Sequence, residues 1–341
     1  MSAHKPIILA IESSCDETGA AVLHGRKVLS NIIASQSVHE KFGGVVPELA
    51  SRAHQANIVP VVNQALTTAD VEMKSLDAIA FTQGPGLMGS LLVGTSFAKS
   101  LALALNIPLI AVNHMQAHVL AHFIEEKPEQ VIPSFPFLCL TVSGGHTQLV
   151  KVDAPLEMEI IGETIDDAAG EAMDKAAKVL GLPYPGGPHV DRLARQGDAS
   201  RFQFPHPKVP GYDYSFSGLK TSFLYLLKDI EAKEPESIES LIPDICASYQ
   251  HVVVEYLLKK MNKAVVDLNI KQLCLAGGVS ANSELRRRFM AMCDAEGWKG
   301  FIPPLAYCTD NAAMIGIVGH FKFIAGDFAD MRFTPQGRLV F

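Results

Sequence analysis

Several features that mark particular classes of protein are scarce or missing in this 341-residue sequence. The six cysteines form no Cys-x-x-Cys pair and no zinc-ribbon spacing, so we expect reduced core cysteines rather than a disulfide or zinc framework. No low-complexity tract is present, and 48% of residues are hydrophobic against 19% charged, which disfavours a disordered chain. The apolar run at residues 7–11 is too short for a signal-peptide core or a membrane span. We therefore expect a cytoplasmic protein that makes no contact with a membrane.

An excess of basic residues is also missing. The net charge is −7, whereas a protein that binds nucleic acid by itself usually shows a basic footprint. Any contact with RNA is therefore expected to be local or shared with a partner. The local candidates are Arg286–Arg288, Lys259, Lys260 and Lys41, although residues of this kind more often lie on a solvated helix or loop face.

The length of the chain favours two hydrophobic cores, because single cores usually stop growing at about 250 to 300 residues. Residues 7–29 read as strand, polar turn and strand, and residues 135–152 repeat this order around a Ser-Gly-Gly turn. Residues 76–105 and 271–293 then each read as strand, glycine turn and helix. The sequence therefore predicts an internal duplication.

The duplication predicts an α/β fold of two lobes, residues 1–133 and residues 134–341. The second lobe is longer, and we expect its additional residues, about 160–245, to form a helical insertion. Two lobes that each carry a β-hairpin with a phosphate-binding turn resemble the actin, Hsp70 and sugar-kinase (ASKHA) fold, with its duplicated ribonuclease-H-like lobes. In that fold a nucleotide lies between the lobes, although a fold alone does not give a function.

Two histidines and a distant aspartate are candidate metal ligands. His114 and His118 are four residues apart, so on a helix both imidazoles project from one face, although a pair of surface polar residues has the same spacing. Asp310 holds the matching position in the second half and could complete a three-ligand site, or could cap the following helix. Iron and zinc both suit these ligands. A zinc peptidase is disfavoured, because Met115 stands where such enzymes need a glutamate.

Glycine-rich turns are candidate phosphate-binding sites. The turn at Ser143, Gly144 and Gly145 offers backbone N–H groups, and Gly277 and Gly278 bring the backbone close to a ligand at a strand-to-helix junction. Either turn alone could be ordinary loop structure. Their matching places in the two halves indicate a nucleotide.

Polar residues near these turns could contact the sugar or the base. Asn282 could bind a ribose or base, and Asp174 could accept hydrogen bonds from ribose hydroxyls if it points inward. Alternatively, Asp174 lies on a solvated helix face. We expect Asp166 and Glu171 to lie on such a face.

Taken together, the motifs resemble those of the TsaD family of tRNA threonylcarbamoyltransferases over nearly the whole chain, and the GGVVPELASR form is similar to that of the bacterial branch. The motifs that carry the resemblance are ESSCDETGAAV, FGGVVPELASRAH, TQGPGLMGSLLVG, NHMQAH, TVSGGHTQLV, IDDAAGEAMDKAAKVLGLPYPGGP, YSFSGLKT, LAGGVSAN and CTDNAAMIG.

The resemblance implies one divalent metal ion, Fe²⁺ or alternatively Zn²⁺, on His114, His118 and Asp310. It also implies an adenine nucleotide, either L-threonylcarbamoyl-AMP or ATP or ADP in its place. We expect Glu12 or Asp16 to remove a proton from the attacking amine. The substrate contacts that the resemblance implies are Thr141, Val142, Ser143, Gly144, Gly145, Asp174, Gly187, Asp191 and Asn282.

The implied reaction transfers threonylcarbamoyl from L-threonylcarbamoyl-AMP to N6 of adenosine 37 in tRNAs that read codons beginning with A, and releases AMP. The implied partners are tRNA, a TsaB-like paralogue and a TsaE-like ATPase. The alternatives are a kinase or ATPase on the same fold, a metallopeptidase, and an interaction protein without catalysis.

Overall fold

The computed structural model describes residues 5–127, 129–233 and 238–340, with Ser37 and Glu40 as backbone only. The chain forms two compact units. The first comprises Met1–Pro133, Ala154–Met158 and Pro303–Phe341, and the second comprises Ser134–Asp153 and Glu159–Ile302.

The first unit is built on a five-stranded sheet in the order β3-β2-β1-β4-β5. Strands β1 and β2 form an antiparallel hairpin, whereas β4 and β5 run parallel to β1. Most residues of β1, β2 and β4 are buried, since helices cover the sheet. The bounds are β1 Ile7–Glu12, β2 Thr18–His24, β3 Lys27–Ala34, β4 Ala78–Gly84 and β5 Leu109–Asn113.

Among its described residues, this unit has four α-helices: α1 Pro47–Ala69, α2 Met88–Leu105, α3 His114–Leu120 and α9 Ala312–Ala325. Helix α1 begins with a proline at its first turn, where the missing N–H costs no hydrogen bond. By length and composition α2 could cross a membrane. In the structure α2 packs against α1 and β4, and its buried positions include Leu91, Gly94 and Ala98.

The second unit repeats the arrangement with a five-stranded sheet in the order β10-β9-β6-β7-β8. Strands β6 and β7 form the antiparallel hairpin, and β9 and β10 continue in parallel. The predicted duplication and the two-lobed ASKHA-type α/β fold are therefore confirmed. The bounds are β6 Phe137–Val142, β7 Thr147–Ala154, β8 Glu157–Glu163, β9 Gln272–Ala276 and β10 Lys299–Phe301.

Within the described residues, the second unit contains the helices of the predicted insertion and the predicted helix that follows the glycine turn at Gly277 and Gly278. They are α4 Ala169–Val179, α5 Gly186–Ala194, α6 Ser217–Lys233, α7 Ile238–Leu268 and α8 Ser283–Glu296. Of these, α4, α5, α6 and the start of α7 lie within residues 160–245. Aromatic side chains hold this helical layer together, with Phe204, Phe223 and Tyr249 in mutual ring contact.

The division of the chain differs from the predicted one at its C-terminal end. Residues 303–341 were assigned to the second lobe, but they belong to the first unit. Helix α9 packs on β1, β2 and β4, and its residues from Ala312 to His320 are all buried. Because α9 is apolar on nearly every side, it is stable only as a core helix, and the first sheet provides that core.

Candidate metal centre and nucleotide-binding residues

Helix α3 holds the two predicted histidine ligands. It begins at His114 directly after β5, because the side chain of Asn113 caps it by accepting from the backbone N–H groups of Met115 and Gln116 at 2.8 and 3.3 Å. His114 and His118 lie one turn apart with ring centroids separated by 4.8 Å. Both side chains are buried, so the alternative of two surface polar residues is wrong.

Asp310 faces both imidazoles. Its Oδ1 lies 3.3 Å from His114 Nε2 and 3.1 Å from His118 Nε2. The cap of α9 is the next residue, Asn311, whose side chain accepts from the Met314 backbone N–H. The alternative role of Asp310 as the helix cap is therefore wrong, and its carboxylate remains available to a ligand.

Three ligand atoms, one from each of His114, His118 and Asp310, lie within 4.8 Å of one another. Two imidazole nitrogens and one carboxylate oxygen suit a divalent transition metal, and they leave coordination positions for other ligands. Among the residues that the structure describes, no other group of three such side chains is this compact. The donor set therefore fits the metal that the sequence analysis predicted.

Glu12 orients His114 from the opposite side of the ring. Its Oε2 lies 3.2 Å from His114 Nδ1, and it accepts from the Thr82 hydroxyl at 2.6 Å. Its other oxygen accepts from the Ser14 backbone N–H at 2.6 Å. Because a carboxylate can only accept, Nδ1 of His114 carries the proton and Nε2 is left to bind a metal.

The charges in this cluster stabilise one another. Burial alone would raise the pKa of Glu12 and of Asp310, but the imidazole of His114 brings both below their usual values. Conversely, burial would lower the pKa of His114, but Asp310 and Glu12 raise it well above its usual value. A cation, either a proton on His114 or a metal ion, is therefore favoured between the two carboxylates.

The turn between β1 and β2 carries Asp16, which is partly exposed. Burial, together with the nearby carboxylates of Asp310 and Asp16, raises the pKa of the neighbouring Glu17 to about 7. Helix α1 fixes this turn through His54, whose Nε2 donates to the Cys15 carbonyl at 2.9 Å. The sequence analysis did not identify His54. The signal was the histidine that ends the motif FGGVVPELASRAH.

In the second unit, the predicted phosphate-binding turn follows β6. Thr141 and Val142 are buried at the end of the strand. The Ser143 backbone N–H donates to the His146 carbonyl and closes the turn, while Gly144 and Gly145 are exposed. The prediction of a strand, tight turn and returning strand is confirmed.

Two glycines from other segments pack against this turn. A Cβ atom on Gly170, at the start of α4, would lie 2.5 Å from the Ser143 carbonyl oxygen. One on Gly277, after β9, would lie 2.4 Å from the Val142 carbonyl oxygen. Side chains at these positions would prevent the approach. The structure therefore brings the glycine-rich turns at Ser143 and Gly277 together. Their predicted placement in the two different halves is wrong, because both turns belong to the second unit.

Asp174 and Gly187 also lie together. The Oδ1 atom of Asp174 accepts from the backbone N–H groups of Gly186 and Gly187 at 2.9 and 3.0 Å. Asp174 thus anchors the first turn of α5 from α4. Burial raises the pKa of Asp174, although these two N–H groups act to lower it.

Asp191 lies close to Asn282, because it accepts hydrogen bonds from Ser283, the next residue in the sequence. Asp191 is buried and accepts from the Ser283 hydroxyl at 2.7 Å, with Arg195 on its other oxygen. Asn282 caps α8 by accepting from the Leu285 backbone N–H, and its amide donates to Gln250 at 2.8 Å. Their side chains are therefore held rigidly by protein partners.

Two predictions about charged surface residues are wrong. Asp166 is exposed, but it precedes α4 and is not on a helix face; it accepts from the Ser215 and Ser217 hydroxyls and from the Phe216 and Ser217 backbone N–H groups at the start of α6. Lys260 is not available to RNA, because it is buried and donates to the carbonyls of Val209 and Gly211.

The comparisons with known proteins agree along the whole chain. A family model described as tRNA N6-adenosine threonylcarbamoyltransferase (TsaD) matches residues 27–317. A protein of that name from Christiangramia forsetii is 60% identical over 344 residues, with all of both chains covered. Another from Porphyromonas gingivalis is 58% identical over 335 residues, covering 98% of each chain.

Solved structures support the fold. A crystal structure of full-length HypF in a phosphate- and nucleotide-bound form has a TM-score of 0.65 and 13% identity, and the match covers 96% of this chain and 48% of HypF. This similarity shows the fold alone. The sequence relatives carry the assignment further: the chain belongs to the TsaD family of tRNA N6-adenosine threonylcarbamoyltransferases, enzymes that modify tRNA.

Proposed function

We propose that this transferase moves the threonylcarbamoyl group from L-threonylcarbamoyl-AMP to N6 of adenosine 37, in tRNAs that read codons beginning with A, and releases AMP. The observation that carries the proposal is the convergence of His114, His118 and Asp310, whose ligand atoms lie within 4.8 Å of one another. The chemistry of an ordinary sugar kinase does not require a cluster of two histidines and an aspartate. The relatives' name supplies the class of reaction.

The three clustered residues would hold one divalent metal ion, Fe²⁺ or alternatively Zn²⁺. The ion would stabilise negative charge on a phosphate or carbonyl oxygen of the substrate. Glu12 would keep His114 in the tautomer that binds the metal, because its carboxylate accepts from Nδ1.

The second unit would bind the adenylate. The backbone N–H groups of Gly144 and Gly145 and the Ser143 hydroxyl would donate to the phosphate, since the Ser143 N–H closes the turn and a Cβ on either exposed glycine would meet no atom within 4 Å. Asp174 with Gly187, and Asp191 with Asn282, would line the sugar and base positions. Thr141 and Val142 would place the turn through their buried side chains.

Of the two carboxylates predicted to act as the base, we assign the role to Asp16. Both oxygens of Glu12 already accept hydrogen bonds, and its side chain is only 1% exposed. A charge-neutral Asp16→Asn is expected to slow transfer while metal content stays unchanged. Full transfer by this variant would exclude Asp16 as the base.

The partners of the reaction would be tRNA, a TsaB-like paralogue and a TsaE-like ATPase acting in the cytoplasm. The net charge of −7 supports this, because an acidic chain attracts the tRNA backbone weakly by itself. Companion proteins would supply the missing positive surface.

The test is transfer of labelled threonine from threonylcarbamoyl-AMP to unmodified tRNA, by wild type, His114→Ala and Asp310→Ala, with the companion proteins present. We expect label at adenosine 37 with wild type and a loss of at least about 100-fold with either variant. Asp327→Ala, which removes an exposed carboxylate of the same unit, serves as the control. No label with folded, metal-loaded wild type would contradict the proposal.

A further inference from the structure

A cavity of about 350 Å³ lies in the second unit, apart from the turns described above. One wall is a face of α7 that presents Ser248, His251, Val252 and Glu255, at the spacing of successive helical turns. The other wall is the segment Ala199–His206. Neither the metal centre nor the nucleotide-binding residues use this cavity.

The floor of the cavity is rigid and apolar. Phe204 is buried and packs against the rings of Phe223 and Tyr249, with centroids 6.1 and 5.4 Å away. The segment above it is tied to α7, because the Phe202 backbone N–H donates to the Ser248 hydroxyl at 3.2 Å. The cavity is therefore formed before any ligand arrives.

The rim of the cavity is polar. Glu255 Oε2 lies 3.5 Å from His251 Nε2 and 3.9 Å from His206 Nε2, and all three side chains are between 40 and 47% exposed. Gln203, also at the rim, is exposed. The rim thus offers hydrogen-bond donors and acceptors close together above an aromatic floor.

A metal ion does not suit this rim. Arg288 can only donate, and its guanidinium lies 3.4 Å from His251 Nδ1. Nδ1 of His251 is therefore the acceptor, and the proton of the neutral ring is on Nε2. This N–H is directed at the Glu255 carboxylate, so Nε2 has no lone pair with which to bind a metal ion. The rim requires a ligand that itself exchanges hydrogen bonds.

We propose that this cavity receives an unpaired nucleobase of the tRNA substrate. A base has a flat apolar face for the aromatic floor and an edge with both donors and acceptors for Glu255, Gln203 and the two imidazoles. The volume is at the lower end of small-ligand pockets, roughly 300 to 1,000 Å³, which suits one nucleotide rather than a helix.

The charges near the cavity support a nucleic-acid ligand. Arg288 contacts the rim through His251, and the exposed Arg201 and Lys208 are neighbours of lining residues in the sequence. Asp244 forms an ion pair with Arg201 at 2.8 Å, which partly offsets the attraction of Arg201 for a phosphate. A local basic group of this kind is what an acidic chain needs in order to hold a phosphate that flanks the bound base.

The inference rests on the proposed function, and the experiment separates the two. Binding of unmodified tRNA is measured at fixed salt for wild type and for the double variant Gln203→Ala/His206→Ala, with companion proteins if transfer requires them. Both residues are exposed, so the variant should fold. Glu255→Gln is the second variant, and His24→Ala, an exposed histidine of the first unit, is the control.

We expect both cavity variants to bind tRNA at least about fivefold more weakly, and the control to bind like wild type. Unchanged tRNA affinity in both variants, alongside normal transfer by wild type, would overturn the cavity assignment and leave the proposed function standing. A wild type that neither binds nor modifies tRNA would overturn both. In a parallel titration with AMP, CMP, GMP and UMP, binding that depends on Gln203 and His206 without any change in tRNA affinity would assign the cavity to free nucleotides and overturn the tRNA assignment.

Discussion

The Nδ1 atom of His54 lies 2.8 Å from the hydroxyl of Thr18, and this contact joins helix α1 to the turn between β1 and β2. The other ring nitrogen, Nε2, donates to the Cys15 carbonyl, and in the neutral ring Nδ1 then accepts from the Thr18 hydroxyl. Burial, the largest influence, lowers the pKa of His54 and favours the same state. His54 therefore determines where the turn that carries Asp16 lies relative to α1.

His54→Ala is expected to lower the free energy of unfolding by about 2–4 kcal/mol, because it removes two buried hydrogen bonds and leaves a cavity. His54→Gln should lose less, since an amide also presents a donor and an acceptor. Urea unfolding monitored by circular dichroism measures both. The neighbouring exposed residue provides the control, Gln55→Ala, which should lie within about 0.5 kcal/mol of wild type. Equal stability of His54→Ala and wild type would contradict the role.

Gly277 and Gly278 form a matched pair for a test of the second unit. Gly277 has φ +81° and ψ 166°, a conformation that is essentially restricted to glycine. Gly277→Ala should cost at least about 1–3 kcal/mol of stability and should weaken adenine-nucleotide binding. At Gly278 a Cβ meets no atom within 4 Å, so Gly278→Ala should fold normally. Thermal unfolding measures the stability of the two variants, and calorimetric titration measures their affinity for ADP. Similar stabilities of Gly277→Ala and Gly278→Ala would show that the conformation of Gly277 does not require glycine.

Glu12→Gln should weaken metal binding by roughly 10- to 100-fold, because the amide accepts from His114 less strongly than the carboxylate does. Competition with a coloured chelator measures the affinity. Glu17→Gln, in the turn that follows β1, serves as the control and should bind metal like wild type, because the Glu17 carboxylate accepts from the Ser35 hydroxyl at 3.4 Å. If Glu12→Gln retains wild-type metal affinity, Glu12 does not orient His114.

His320 is expected to reduce stability in acid. Burial and the nearby charges of Arg26 and Lys5 lower its pKa to about 4, from about 6.5 in an unfolded chain. Between pH 6.5 and pH 4 the unfolded state binds more protons at this residue, so the free energy of unfolding falls as the pH falls.

After allowance for solvent screening, the loss due to His320 should reach about 1–2 kcal/mol at pH 4. His320→Leu removes this contribution. Urea titrations at pH 4.5 and pH 7 should therefore show wild type losing more stability than the variant on acidification. A difference between wild type and variant that is the same at both pH values would contradict the prediction.

Much of the fold was predictable because its signals are local. The two hairpins, the strand-to-helix junctions and the helical insertion each follow from alternating apolar residues and glycine turns within about 30 residues. The pairing of His114 with His118 follows from helical spacing in the same way. The role of Asn282 as a nucleotide contact stays a prediction, and the sequence did not indicate that Asn282 caps α8 or contacts Gln250.

The misses depend on contacts between distant parts of the chain. Asp166 accepts hydrogen bonds from residues about 50 positions later, and no local pattern indicates them. His54 reaches a turn 36 to 39 positions earlier. The segment after residue 302 was assigned to the nearest lobe in sequence, whereas the buried face of α9 belongs to the first sheet.

The return of the chain to the first unit has a consequence for biosynthesis. His118 and Asp310 are 192 positions apart in sequence, and the whole of the second unit is translated between them. A nascent chain that has not yet emerged as far as Asp310 has two histidines but no carboxylate to complete the cluster. The candidate metal site is therefore completed only near the end of synthesis, and chains truncated before Asp310 lack one of its three side chains.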